Sequence, residues 1–152
     1  MKVEALYHVG VTVRDIERSV AFYRDLLGLT LYRRQRGTAE YLGRITGFPG
    51  VRLEVALLRT PDGAGMLELL QYVSHPADPG DGATNRPGTA HLCFRVSDVH
   101  AACAELRARG VRLVSEPAEI TAGVHRGGYG VYLRDPDGFT VELYQPPPSH
   151  GG

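Results

Sequence analysis

The chain repeats itself, and the repeat decides what it can fold into. The turn Pro61-Asp62-Gly63 followed by Leu67-Glu68-Leu69-Leu70-Gln71 returns as Pro136-Asp137-Gly138 followed by Val141-Glu142-Leu143-Tyr144-Gln145. Upstream, Tyr7-His8-Val9-Gly10-Val11-Thr12-Val13-Arg14-Asp15 returns as Ala90-His91-Leu92-Cys93-Phe94-Arg95-Val96-Ser97-Asp98. A tandem duplication requires that one module build half of the structure and that two copies related by pseudo-symmetry complete it. Each copy carries one His near its start and one Glu near its end.

Hydrophobic periodicity supplies the elements. Tyr7, Val9, Val11 and Val13 alternate with His8, Gly10 and Thr12, the period of a half-buried strand. Asp15 is a helix N-cap, without the acid three residues on that would complete a capping box. Ile16, Val20, Tyr23 and Leu27 mark an amphipathic helix, and Gly28 its left-handed stop. A strand is expected over 29–34 and then a loop through Gly43, Gly47 and Pro49-Gly50. A hairpin of strands 51–59 and 65–73 follows, joined by Pro61-Asp62-Gly63. The second copy predicts a strand over 90–96 and a helix capped by Asp98, running to Arg109 and stopped by Gly110. After these come a strand over 111–115 and a hairpin of 130–133 with 139–145. The fold class is therefore α+β: two tandem βαβββ modules forming an open, eight-stranded, cup-like sheet with helices outside. The length predicts one domain over 1–146, with module one over about 5–73, a Pro/Gly/Asp-rich linker over 74–88 and module two over about 89–146. Residues 147–152 form a tail after Pro146-Pro147-Pro148.

Composition excludes several functions. The chain has 17 basic and 17 acidic residues, so it lacks the basic footprint of a nucleic-acid partner and the charge of an electrostatic membrane anchor. No apolar run nears the roughly 18 residues of a membrane span, and the N-terminus has no apolar signal core. These features predict a soluble, cytoplasmic protein. Cys93 and Cys103 make neither a zinc spacing nor a Cys-x-x-Cys pair, and are expected to be reduced structural thiols on a strand and a helix.

Strand phase brings the chemistry into view. Val9 and Val11 turn to the helix, so His8 faces the other way; Leu92, Phe94 and Val96 place His91 likewise. Leu67 and Leu69 do the same for Glu68, and Val141 and Leu143 for Glu142. A lone His or Glu on a strand is usually just its solvent face. Four of them, duplicated and in phase, make a candidate divalent-metal site: His8, Glu68, His91 and Glu142. Two imidazoles and two carboxylates leave positions open for a substrate and suit Zn, Ni, Co, Mn or Fe without choosing among them.

These segments, with Ala21-Phe22-Tyr23-Arg24-Asp25-Leu26-Leu27-Gly28-Leu29 and Asp135-Pro136-Asp137-Gly138-Phe139-Thr140-Val141-Glu142-Leu143, resemble the vicinal-oxygen-chelate superfamily over about Leu6 to Gln145. That superfamily includes glyoxalase I, methylmalonyl-CoA epimerase, extradiol dioxygenases and bleomycin- or fosfomycin-resistance proteins. The resemblance implies paired βαβββ modules, metal ligands at His8, Glu68, His91 and Glu142, a small substrate with neighbouring oxygens and a homodimer. Extradiol dioxygenases use two His and one carboxylate, so Glu68 favours the glyoxalase and epimerase group. Ser115-Glu116 is similar to the epimerase, and no glutathione-binding signature is evident.

What the resemblance implies chemically is proton transfer through a metal-stabilised enolate. In the glyoxalase-like version the base is a displaced ligand, Glu68 or Glu142, which are therefore the catalytic candidates; in the epimerase-like version it is a separate acid, for which Glu40 or Glu54 could be placed. Tyr144 shares phase with Glu142 and could polarise a substrate oxygen, or be an ordinary rim aromatic. Arg95 shares phase with His91 and Cys93 and could hold a carboxylate or phosphate, or pair with a neighbouring acid. Residues 123–130 form a flexible loop or a lid. His75, His100, His125 and His150 are read as surface residues. Two other functions stay open: an Fe(II) or Mn(II) dioxygenase, and a non-catalytic antibiotic-binding protein.

Overall fold

The computed structural model describes residues 2–148; residues 149–152 of the expected tail, with His150, lie outside them. The chain divides into two compact units between Pro79 and Gly80, inside the segment read as the linker.

The first unit contains β1 (Val9–Thr12), α1 (Ile16–Ala21), β2 (Thr30–Gly37), α2 (Glu40–Thr46), β3 (Leu53–Arg59) and β4 (Met66–Tyr72). A π-turn over Phe22–Leu26 continues α1. Its sheet runs β1-β4-β3-β2, with β1 parallel to β4 and the other pairs antiparallel. The second unit contains β5 (His91–Arg95), α3 (Val99–Ala108), β6 (Ala118–Glu119), β7 (Tyr129–Arg134) and β8 (Thr140–Gln145). It runs β5-β8-β7-β6 with the same directions. The duplication in sequence is a duplication of topology: among the described residues, eight strands form two open mixed sheets of four in an α+β chain.

Each helix covers one face of its own sheet. Val11, Ile16, Val20, Tyr23, Ala56, Leu58, Leu67 and Leu69 are buried between α1 and the first sheet. Val99, Cys103, Leu106, Val131, Leu133, Val141 and Leu143 do the same for α3. The N-caps are as expected: the Asp15 carboxylate accepts from the Glu17 and Arg18 amides, and that of Asp98 from the Ala101 amide. A second device repeats as well. The Ile16 amide donates to Gln71 Oε1 at 3.1 Å, and the Val99 amide to Gln145 Oε1 at 2.9 Å. The Gln that closes each repeated motif thus ties the last strand of its unit to the start of the helix.

Two expectations need correction. The loop expected around Gly43 contains α2, stopped by Gly47 in the left-handed region at φ 79°. The periodic signal was weak because only Leu42 packs inward, joining Leu70 and Tyr72 against Val51, Leu53 and Val55. Gly43 fits closely there, since a Cβ would lie 3.1 Å from the Phe48 carbonyl and 3.2 Å from Pro49 Cα and those backbone atoms would have to yield. The strand expected over 111–115 is only a single bridge, Leu113 with Leu133, and the edge strand forms later as β6. Ala118 stands opposite Gly130, so the chain between these points bulges and the register shifts. Pro117 lies in that bulge, where it has no ladder amide to withhold.

Candidate functional site

Alternation along β4 buries Leu67 and Leu69 against α1 and turns Glu68 to the opposite face. Glu68 stands opposite Gly10 in the parallel β1–β4 pair. His8, two residues before Gly10, shares that face, and its Nε2 lies 3.2 Å from Glu68 Oε2. In the second unit Glu142 stands opposite Cys93, and His91 lies two residues before Cys93. His91 Nε2 is 3.0 Å from Glu142 Oε2. The same atoms of the same residue types meet in the same register in both copies.

Each His–Glu pair could supply two ligands of a metal ion. Two donors each about 2.1 Å from one ion and at right angles to each other stand about 3.0 Å apart. That is the spacing within each pair. The carboxylate side chains are 21% and 24% exposed, so an ion can reach them. His8 Nδ1 is buried without a hydrogen-bond partner, so no protein acceptor fixes its tautomer. Neighbouring rings hold both imidazoles: Tyr7 edge-on to His8 at 5.5 Å, and Tyr132 tilted against His91 at 5.3 Å. The four predicted ligands occur as two His–Glu pairs, one in each unit. Among the described residues no three or more His, Cys, Asp or Glu side chains gather into a group that could hold a metal.

The family model for the Glyoxalase/Bleomycin resistance protein/Dioxygenase superfamily matches residues 5–143. The chain belongs to this superfamily. It is 29% identical over 142 residues to a lactoylglutathione lyase of Haemophilus influenzae, covering 92% of this chain and 91% of that protein. It is 31% identical over 147 residues to a 2-epi-5-epi-valiolone epimerase of an Actinomyces species, covering 94% and 80%. Among solved structures, a glyoxalase family protein of Bacillus cereus matches with a TM-score of 0.83 over 97% of both chains at 24% identity, a likeness of fold. No helix among the described residues is long and apolar enough to cross a membrane.

Around the two pairs, this member of the superfamily has diverged between its halves. On the face of Glu68 the neighbours are apolar: Leu57 stands opposite it on β3, and Leu70 opposite Val55. On the face of Glu142 they are polar. Tyr132 stands opposite it on β7, Cys93 on β5, and Tyr144 and Arg95 form the next cross-strand pair. Sequence reasoning missed Tyr132, although Val131 and Leu133 on either side of it are apolar and signal its outward phase. The Cys93 thiol is pushed up to about 11, first by partial desolvation and then by the charge and hydrogen bonding of Glu142.

Glu54 and Glu40 are not placed as separate bases. Glu54 stands opposite Gln71, whose side chain reaches α1, so it lies on the helix face and pairs with Arg36 at 2.7 Å. Glu40 is almost wholly exposed and pairs with Arg44 one helical turn on. Glu116 pairs with Arg107 of α3. Of the histidines read as surface residues, His75 packs on Phe48 and His100 on Tyr129. His125 is exposed, but its Nδ1 is hydrogen-bonded to the Tyr144 hydroxyl at 3.0 Å.

Proposed function

We propose that the chain is a metal-dependent isomerase or lyase of the glyoxalase/epimerase type, moving a proton through an enolate of a small substrate with neighbouring oxygens. The observation that carries this reading is the matched pair of His–Glu contacts, each with a carboxylate. A two-His, one-carboxylate dioxygenase set needs only one of the two Glu residues.

Each His–Glu pair, His8 with Glu68 and His91 with Glu142, would supply ligands to a divalent ion. When bound, the ion supplies a Lewis acid that draws two adjacent substrate oxygens and stabilises negative charge developing on them. The imidazoles would contribute ring nitrogens, each beside an aromatic neighbour. Each carboxylate is both ligand and candidate base, able to take a proton from the substrate carbon and return it. Leu57 and Leu70 give the Glu68 side a partly exposed apolar lining, from which a bound substrate would displace water.

The test is metal analysis together with turnover. Lactoylglutathione and 2-epi-5-epi-valiolone, the compounds in the relatives' names, are the first substrates to screen, in deuterated water. A first-row divalent ion bound through His8, Glu68, His91 and Glu142, lost when these are substituted, and solvent deuterium appearing at a substrate carbon, are expected. Failure to bind such an ion after reloading would sink the reading. Oxygen consumption without deuterium incorporation would replace it with the dioxygenase one.

A further inference from the structure

The two units share their His–Glu pairs but not the position one step along the same strands. In the first unit the next cross-strand pair is Thr12 with Leu70. In the second it is Arg95 with Tyr144, which share the face of Glu142 because alternate residues of a strand do. Arg95 is exposed, and no carboxylate among the described residues pairs with it, which removes the neighbouring-acid reading. Tyr144 is joined to His125 by a 3.0 Å hydrogen bond and by edge-on ring packing at 5.1 Å.

His125 is brought there by a tightly pinned turn, not by a loose loop. The Ile120 amide donates to the Gly128 carbonyl and the Gly127 amide to the Ile120 carbonyl, both at 2.8 Å. The Gly128 amide closes onto the His125 carbonyl at 3.0 Å. Gly128 lies so close to β8 that a Cβ on it would sit 2.6 Å from the Gln145 carbonyl. The phenol and imidazole are therefore in contact at one end of the sheet, and Arg95 is the cross-strand neighbour of Tyr144 on the side of the candidate metal ligands.

We propose that Arg95, Tyr144 and His125 form an anion subsite that takes a carboxylate or phosphate group of the substrate. The guanidinium offers a planar fork of N–H donors that matches either group. With His125 Nδ1–H donating to the phenolic oxygen, the Tyr144 O–H is free to donate to the anion. The subsite lies a two-residue strand step from Glu142, about 7 Å. The substrate is then a short acid or phosphate ester whose anionic group is a few bonds from its chelated oxygens. That placement rests on the metal reading above; the anion binding does not.

The test uses the full chain without metal. Its histidine ring and arginine side-chain NMR signals are followed at fixed pH and ionic strength during titration with inorganic phosphate and, separately, malonate. Saturable shifts of His125 and Arg95 with either anion are expected, the tighter one naming the substrate group. R95Q should weaken binding about tenfold or more, and R95K, which keeps the charge and loses the fork, by less. No saturable shift with either anion, or unchanged affinity in both variants, overturns the subsite. A parallel titration with cobalt(II), read at His8 and His91, separates the two proposals. Anion binding without cobalt binding retires the metal reading alone, and the reverse retires the subsite alone.

Discussion

Glu142 stands directly opposite Cys93 across the parallel β5–β8 pair and holds its thiol proton in place. The thiol is raised from 9.0 to about 11, with desolvation the larger cause and the Glu142 carboxylate the next. Cys93 is therefore a protonated, poorly nucleophilic neighbour of a candidate metal ligand at neutral pH. In a C103A background, thiolate absorbance should rise with a midpoint near 11. E142Q should lower that midpoint without returning it to 9.0, because desolvation remains. The linkage sign follows: the folded state holds this proton more tightly, so its contribution is full below pH 9 and is lost as pH rises towards 11. Urea stability should fall more steeply over that interval in wild type than in C93S. A midpoint at or below 9 would contradict the contact.

Two acids that looked similar in sequence should behave oppositely. Glu142 is paired with His91 at 3.0 Å, whereas Glu54 faces the helix side and pairs with Arg36. E142Q keeps the shape and removes the charge, and is expected to lose metal binding and at least about a hundredfold in turnover. E54Q should retain both and shift stability by about 0.5 kcal/mol or less, since its partner is highly exposed. Isothermal titration with metal and a turnover assay read both variants. Equal losses would mean that the strand phase has been misassigned.

Gln71 and Gln145 accept from the first helical amides of α1 and α3. Replacing either by Ala leaves that amide without its protein acceptor, at a cost of about 1 kcal/mol. For a chain of this size that is a fall in Tm of about 2–4 °C. Metal affinity should be unchanged, because Gln71 and Glu68, like Gln145 and Glu142, point to opposite faces. A thermal melt and a metal titration on Q145A check both halves of the statement.

Those same motifs show where sequence was informative. Alternation against buried neighbours placed His8, Glu68, His91 and Glu142 on the faces away from α1 and α3, because a one-residue slip would have exposed Leu67, Leu69, Val141 and Leu143. The paired turns at Gly63 and Gly138 were legible because both glycines hold positive φ, at 72° and 87°. What escaped depended on tertiary contact. Helix α2 is held by Leu42 on the sheet and by Gly43 against Phe48, neither of which has a periodic signature. The edge strand fails over 111–115 because its register shifts near Pro117. His125 reaches Tyr144 only through a turn whose closure no local pattern announces.

That turn gives the sharpest structural prediction. A Cβ at Gly128 would lie 2.6 Å from the Gln145 carbonyl and 3.1 Å from the His125 carbonyl, both backbone atoms with little room to yield. G128A must therefore push the turn off β8, with an overpacking cost of about 1–3 kcal/mol. It should also break the His125–Tyr144 contact. Gly123, in the same turn, sits at φ 78° with open space around its would-be Cβ. G123A meets only backbone strain, about 1 kcal/mol, and should leave His125 in place. The two variants separate steric closure from conformational freedom. If Gly128 is the wedge that seats the turn, G128A alone shifts the His125 ring resonances towards those of a free imidazole, and G123A lowers Tm without moving them. A G128A protein with wild-type His125 signals would show that the turn is seated by something other than its contact with β8.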